Sequence, residues 1–377
     1  MKNKNEEYKR MKDTNEKGIS VCLIGIGDVA SALVQGIENY KKNPEKIIGI
    51  LPEITQYKIE DINFVLGIEV NANKVGKDLS EAIFAEPNCN MELFRPNFLD
   101  APVVKGPILD GLQSNIKNIV PVDDNQKEVD IVKEMKDRNI DVAVILLPTG
   151  AHKAVKFYAM AALEAGACVI CGMPSHVAKD PDLVRKAEES RLSLIGDDVK
   201  SQIGATIIHR SLANLFPMRG AILDRTIQLD WGGCSDFCNL LTPKPNGELF
   251  YEEGKRQSKT ASVVAKLKNK DTVECQISAV DYIPFLKNQK EAYMRLEGRI
   301  FGGAPVRVDI TMFVEDGNNS AGIIADCIRI SKIAKDRHVG GVLHTACSFF
   351  MKYPPKQLDD FRAKRRLIRF IQGKRTR

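Results

Sequence analysis

The sequence predicts an α/β protein: a doubly wound parallel sheet into which a second α+β domain with a largely antiparallel sheet is inserted. Three observations carry that class. A glycine-broken strand-to-helix junction opens the patterned part of the chain at Val21–Gly36. Near-continuous apolar runs then alternate with amphipathic stretches as far as Gly196. Beyond it, polar and apolar residues alternate until a long amphipathic stretch begins near Asn319. Apolar strands of the first kind are covered on both faces by helices, whereas alternation marks a sheet with one covered face.

The junction reads Val21-Cys-Leu-Ile-Gly-Ile-Gly-Asp-Val-Ala-Ser-Ala-Leu-Val-Gln-Gly36. Val21–Ile24 predicts a strand, Gly25 and Gly27 a tight turn, and Val29, Leu33 and Ile37 recur at helical spacing. In a Rossmann-type unit the first glycine makes the turn, the second admits a pyrophosphate, and a third small residue, here Ala30, seats the helix on the strand. Asp28 and Val29 open that helix, where free amides and the macrodipole favour negative charge. A second apolar run, Phe64–Val70, carries Glu69 where a carboxylate can bind a ribose diol. Its distance from the glycines exceeds the usual spacing of about 20 residues. An insertion over residues 42–62 is therefore expected.

Further strands are read at Val142–Leu147, Ala167–Cys171 and Ser193–Gly196, with helices at Gln126–Arg138, Ala151–Glu164 and Pro181–Ser190. Ligands of such sheets lie beyond the C-terminal strand ends. Pro148-Thr-Gly150 and Gly172-Met-Pro174 thus either border a cofactor or form plain turns. From Gly196 a helix runs to about Phe216, and alternating strands follow at Thr226–Leu229, Thr272–Ser278, Glu291–Glu297 and Val306–Val314. The helix Asn319–Lys335 returns to the first domain. The plan is a flexible lead over 1–17, a Rossmann-type nucleotide-binding domain over 18–200 completed by 317–377, and an inserted domain over 201–316 that brings the groups to handle a substrate.

The chain has 377 residues with 44% hydrophobic and 28% charged side chains, enough for two packed domains. No apolar run reaches bilayer length and the start lacks the apolar core of a signal peptide, so a cytoplasmic protein without a membrane partner is expected. Much of the net charge of +6 sits in the tail Arg362–Arg377, which reads as a solvated helix end rather than a nucleic-acid arm. Nine cysteines and five histidines show no ligand spacing, so no metal site and reduced thiols are expected.

Lys200, Lys255, Lys259, Lys290 and Lys352 stand at turn-marked segment edges. Each read alone is solvated surface; converging on one pocket, they suit a phosphorylated sugar and anionic intermediates. Asp197 and Asp198 read as a helix cap or as carboxylate partners, and Asp316 as a turn residue or a lysine partner.

At these residues the chain resembles the myo-inositol-1-phosphate synthase family in its shorter bacterial and archaeal form. The matching stretches include Gly25–Gly36, Lys74-Val-Gly-Lys-Asp-Leu-Ser80, Gly106–Gly111, Gly196–Thr206, Leu223–Leu229, Arg295–Arg299, Asn319–Gly322 and Lys332–Arg337. Coverage runs from about residue 18 to 357. The resemblance implies conversion of glucose 6-phosphate to 1L-myo-inositol 1-phosphate through oxidation at C5, enolisation at C6, aldol closure on C1 and re-reduction, with bound NAD regenerated each turn. By that resemblance Lys255, Lys259, Lys290, Lys352 and Asp316 are catalytic. Gly25, Gly27, Asp28, Val29, Ala30, Glu69, Pro148, Asp198 and Lys200 bind the cofactor, and the assembly is a homotetramer.

Two departures bear on this expectation. Where the family reads Asn-x-Gly-Gly-Asn-Met-Asp, this chain has Asp230-Trp-Gly-Gly-Cys-Ser-Asp236, and Cys171-Gly-Met-Pro174 replaces Asn-x-x-Pro. Changed polar groups at a polar site alter substrate preference by orders of magnitude. A relative cyclising another sugar phosphate, such as fructose 6-phosphate, and a catalytically silent NAD-binding protein are the alternatives.

Overall fold

The computed structural model describes residues 18–112, 114–241, 247, 255–265, 267 and 272–377, with the side chains of residues 114 and 115 excepted. The expected flexible lead lies outside the described residues.

In chain order the strands are β1 (Ile19–Ile24), β2 (Ile62–Glu69), β3 (Val103–Lys105), β4 (Val142–Ile145), β5 (Cys168–Cys171), β6 (Ser193–Ile195), β7 (Ile222–Gly232), β8 (Glu274–Tyr282), β9 (Gln289–Arg299), β10 (Pro305–Glu315) and β11 (Gly341–Val342). Seven form one sheet in the order β11-β6-β5-β4-β1-β2-β3, every neighbouring pair parallel. Strand order reverses between β1 and β4, and at such a switch point the connections leave in opposite directions and open a crevice beyond the strand ends. Leu23, Ile24 and Val142–Ile145 are wholly buried, because helices lie on both faces.

The glycine junction folds as read: β1, a turn, then the helix Asp28–Lys42. Pattern-based boundaries elsewhere move: the helix read over Gln126–Arg138 shortens to Ile131–Asp137, and the one read from Gly196 begins only at Ala205. The insertion between that first helix and β2 is bound down by a buried ion pair on the helix Asp316–Asp336. Asp326 accepts from Leu51 N at 3.2 and 3.0 Å, and Arg329 donates to Ile54 O at 3.1 Å and Leu51 O at 3.3 Å.

The second sheet has the order β10-β9-β7-β8. Its β10–β9 and β9–β7 pairs are antiparallel, as expected, whereas β7–β8 is parallel, so the sheet is mixed. A parallel pair needs a crossover. Here the crossover carries the helix Lys255–Val264, which packs with the helix Ala205–Met218 around Ala213, Phe216, Val263, Ile277 and Leu296. The stretch read as turn-marked lysines is therefore helical from Lys255 onward. The helix Asp316–Asp336 then leads back to the first sheet, where β11 pairs with β6, and the helices His344–Phe350 and Asp360–Ile371 follow. Among the described residues, no helix is long and apolar enough to cross a membrane.

Candidate functional site

A cleft lies at the switch point, between the C-terminal ends of β1, β2, β4 and β5 and the second sheet. Gly25 has φ +88° and donates its N–H to Ile68 O at 2.9 Å, and a Cβ there would stand 2.7 Å from Leu146 O. Its lack of a side chain is a demand of the fold. At Gly27 a Cβ would meet nothing within 4 Å, so that position is constrained by nothing in the protein and faces room for a ligand. Ala30 is wholly buried against the sheet, as its seating role requires. Asp28 and Val29 border the cleft with them, but Asp28 also works as a brace: its carboxylate accepts from Cys89 N at 2.8 Å and Cys89 Sγ at 3.2 Å.

Glu69 borders the cleft too, although its carboxylate is largely committed to the backbone. It accepts from Ile26 N at 2.8 Å, Val70 N at 2.7 Å and Asn71 N at 3.2 Å. A carboxylate has about four lone-pair positions, so little more than one remains for a ribose hydroxyl. Beneath the same turn lies Lys74, buried, donating to Ile26 O at 2.5 Å and Pro87 O at 3.1 Å. Lys74 lies in one of the stretches that carry the family resemblance, and its burial and hydrogen bonds show that it pins the glycine turn.

Pro148 borders the cleft at the end of β4, and the second domain clamps its neighbour. Asn239 Nδ2 donates to Thr149 O at 2.8 Å, and Thr149 Oγ1 lies 3.3 Å from Asp236. Asp198, at φ +63°, holds two elements together: Lys352 Nζ donates to it at 2.9 Å, and Ser258 Oγ donates to its other oxygen.

The lysines converge from three places in the chain. Lys255 and Lys259 stand one turn apart on the crossover helix, Lys290 at the start of β9, and Lys352 after the helix His344–Phe350. Lys255, Lys290 and Lys352 border the cleft together with Asp198, Asp236 and Asp316. Lys255 is paired with Asp236. Lys259 lies one layer back, buried and bonded to Asp230 at 2.5 Å. Lys200 departs from expectation: it does not border the cleft but is buried 2.8 Å from Asp360, whose other oxygen pairs with Arg210 at 3.0 Å. Its ammonium links the domain junction to the C-terminal helix.

The electrostatics separate the lysines. Burial pushes the Asp230 carboxyl up, but the ammonium groups of Lys259 and Lys290 outweigh it and bring it down to about 2. Burial, reinforced by Lys290, Lys255 and Lys352, lowers Lys259 to about 8 despite Asp230. Lys290 goes the other way: burial is outweighed by Asp316, Asp230 and Asp236, so it stays a firm cation. Asp230, which departs from the family pattern, is thus neutralised by the lysine behind the pocket.

A parallel sheet with a glycine-turn cleft, closed by a second sheet that brings lysine–aspartate pairs, defines a Rossmann-type α/β protein. The chain belongs to the myo-inositol-1-phosphate synthase family. The family model named Myo-inositol-1-phosphate synthase matches residues 204–317. The inositol-3-phosphate synthase of Mycolicibacterium smegmatis is 41% identical over 363 residues, covering 94% of this chain and 98% of that protein. That of Mycobacterium tuberculosis is 40% identical over 359 residues, covering 94% and 96%. Among solved structures, Ari2 superposes with a TM-score of 0.74 at 30% identity, over 94% of this chain and 99% of its own. The inositol-3-phosphate synthase of Caenorhabditis elegans shares the fold at a TM-score of 0.72 and 16% identity, over 95% and 86%.

Proposed function

We propose that the protein is an inositol-3-phosphate synthase, converting glucose 6-phosphate to 1L-myo-inositol 1-phosphate with NAD held in the cleft. The convergence of Lys255, Lys290 and Lys352 with their aspartates on a glycine-turn cleft, with Lys259 one layer behind them, carries this reading. The cleft fits the cofactor: the open space over Gly27 leaves room for a pyrophosphate, the amides of the first helical turn favour its charge, and Glu69 keeps a lone pair for a ribose hydroxyl. When bound, NAD supplies the hydride acceptor and the returning hydride.

The chain's own residues do the rest. Lys290, a permanent cation, holds phosphate or a developing oxyanion. Lys255 and Lys352, fixed by Asp236 and Asp198, orient sugar hydroxyls. Lys259, poised at about 8, exchanges a proton near neutrality, as an enolisation requires. Asp316, bordering the cleft at the head of its helix, completes the charge balance of Lys290.

The test is incubation of the purified protein and NAD with glucose 6-phosphate and, separately, fructose 6-phosphate, followed by phosphorus NMR. Inositol phosphate from glucose 6-phosphate is expected. Turnover of fructose 6-phosphate alone would instead assign the protein to the second sugar phosphate, a reading that the altered groups Asp230 and Cys234 motivate, and no product from either would refute cyclisation of both. The protein is proposed to act in the reducing cytoplasm, supported by nine free cysteines. It is further proposed to assemble as a homotetramer through the second domain, supported by Phe301, 99% exposed, and Phe313, 68% exposed.

A further inference from the structure

A line of buried polar side chains runs behind Lys259 into the second sheet. Thr226, Gln228 and Asp230 alternate along β7 and so share the face that the helix Ala205–Met218 covers with His209. All four are buried. His209 Nε2 lies 2.6 Å from Thr226 Oγ1, and Nδ1 lies 3.0 Å from Gln228 Oε1. Gln228 Nε2 donates to both Asp230 oxygens at 3.0 Å, and Lys259 donates to Oδ2 at 2.5 Å.

The chemistry of the groups orders the hydrogens. An ionised carboxylate only accepts, so the amide NH2 of Gln228 must face Asp230 and its oxygen must face His209. That oxygen needs a donor, which places a hydrogen on Nδ1. At the other end Thr226 has one hydroxyl hydrogen and two acceptors in reach, Nε2 and Arg295 O at 2.7 Å. Burial outweighs the Gln228 bond and the charge of Asp230 and lowers His209 to about 4, so Nε2 is bare at neutral pH and takes the Thr226 hydrogen.

We propose that His209 is a positioning residue for catalysis: its Nδ1–H fixes the Gln228 amide, the amide fixes the Asp230 carboxylate, and the carboxylate sets where the Lys259 amine stands. Without the Nδ1 donor the buried Gln228 oxygen has no hydrogen-bond donor, so the side chain shifts away from Asp230 to find one. Asp230 then loses two hydrogen bonds and binds the Lys259 ammonium more tightly, against the opposing Lys290, Lys255 and Lys352. This inference rests on Lys259 acting in the proposed cyclisation.

The experiment compares His209→Asn with His209→Gln in the NAD-loaded protein. The Asn amide lands where Nδ1–H stood; the Gln amide lands near Nε2. Both are polar and smaller than or similar to histidine, so they differ mainly in which hydrogen bond survives. Gln228→Met breaks the link at its second step. The readouts are kcat and KM for glucose 6-phosphate, and the titration of the Lys259 side chain followed by NMR with 13Cε-labelled lysine, assigned from Lys259→Arg. For His209→Gln and Gln228→Met, kcat is expected to fall about tenfold or more with KM within about twofold. The Lys259 titration should move to higher pH, and His209→Asn should restore both. A Lys259 titration unmoved in His209→Gln and Gln228→Met, or an Asn variant no better than the Gln variant, overturns the proposal. If the wild-type protein turns over no glucose 6-phosphate yet the titration moves and Asn restores it, the positioning role stands and the reaction assignment fails.

Discussion

Gly25 and Gly27 lie two residues apart and answer to different constraints. At Gly25 a side chain meets the Leu146 carbonyl and a left-handed φ, so Gly25→Ala should cost about 1–3 kcal/mol in urea unfolding. Gly27→Ala should leave stability within about 0.5 kcal/mol, because nothing in the protein occupies that space, yet weaken NAD binding about tenfold or more by calorimetry if the proposed pyrophosphate lies there. Equal affinity in Gly27→Ala would show that the pyrophosphate lies elsewhere. His209 gives a second prediction. Its folded value of about 4 lies below its ordinary 6.5, so the unfolded chain binds more protons in between. Stability contributed by the neutral ring is complete above about pH 6.5 and is lost as pH falls toward 4. Relative to His209→Asn, the wild-type protein should lose about 2–3 kcal/mol between pH 7 and 4.5 in urea titrations. A constant difference would refute a buried neutral imidazole.

At the scale of elements, residues 43–61 are held by Ile54 and Ile59 in the core and by the buried pair Asp326–Arg329 on their backbone. Asp326→Ala would strand the Arg329 guanidinium and the Leu51 N–H and is expected to cost about 3–5 kcal/mol in urea unfolding. A loss below about 1 kcal/mol would show that the pair does not anchor this segment. The strands of the first sheet were legible because a covered parallel strand leaves a continuous apolar run, as in Val142–Ile145. The helix Lys255–Val264 was not: Lys, Ser, Thr and Gln dominate it and it buries only one narrow face, so its turn-like composition hides an i, i+4 pair of lysines. β3 and β11, of three and two residues, are too short to show any period.

At the scale of the whole molecule, the second domain exposes aromatic surface that a free monomer would leave in water. Light scattering should give about 168 kDa, four chains of 41.9 kDa, with Phe301→Ser and Phe313→Ser together shifting the mass downward. A 41.9 kDa species at micromolar concentration would remove the tetramer. The sequence by itself determined the glycine turn, the order of the longer strands, and the identity of the charged groups, because periodicity and turn chemistry are local. Only the tertiary structure decided which of those groups meet. It drew Lys255, Lys290 and Lys352 to one cleft, set Lys259 behind Asp230, and turned Lys200 away to Asp360. Burial and charge pairing depend on contacts between residues remote in the chain, which no local pattern records.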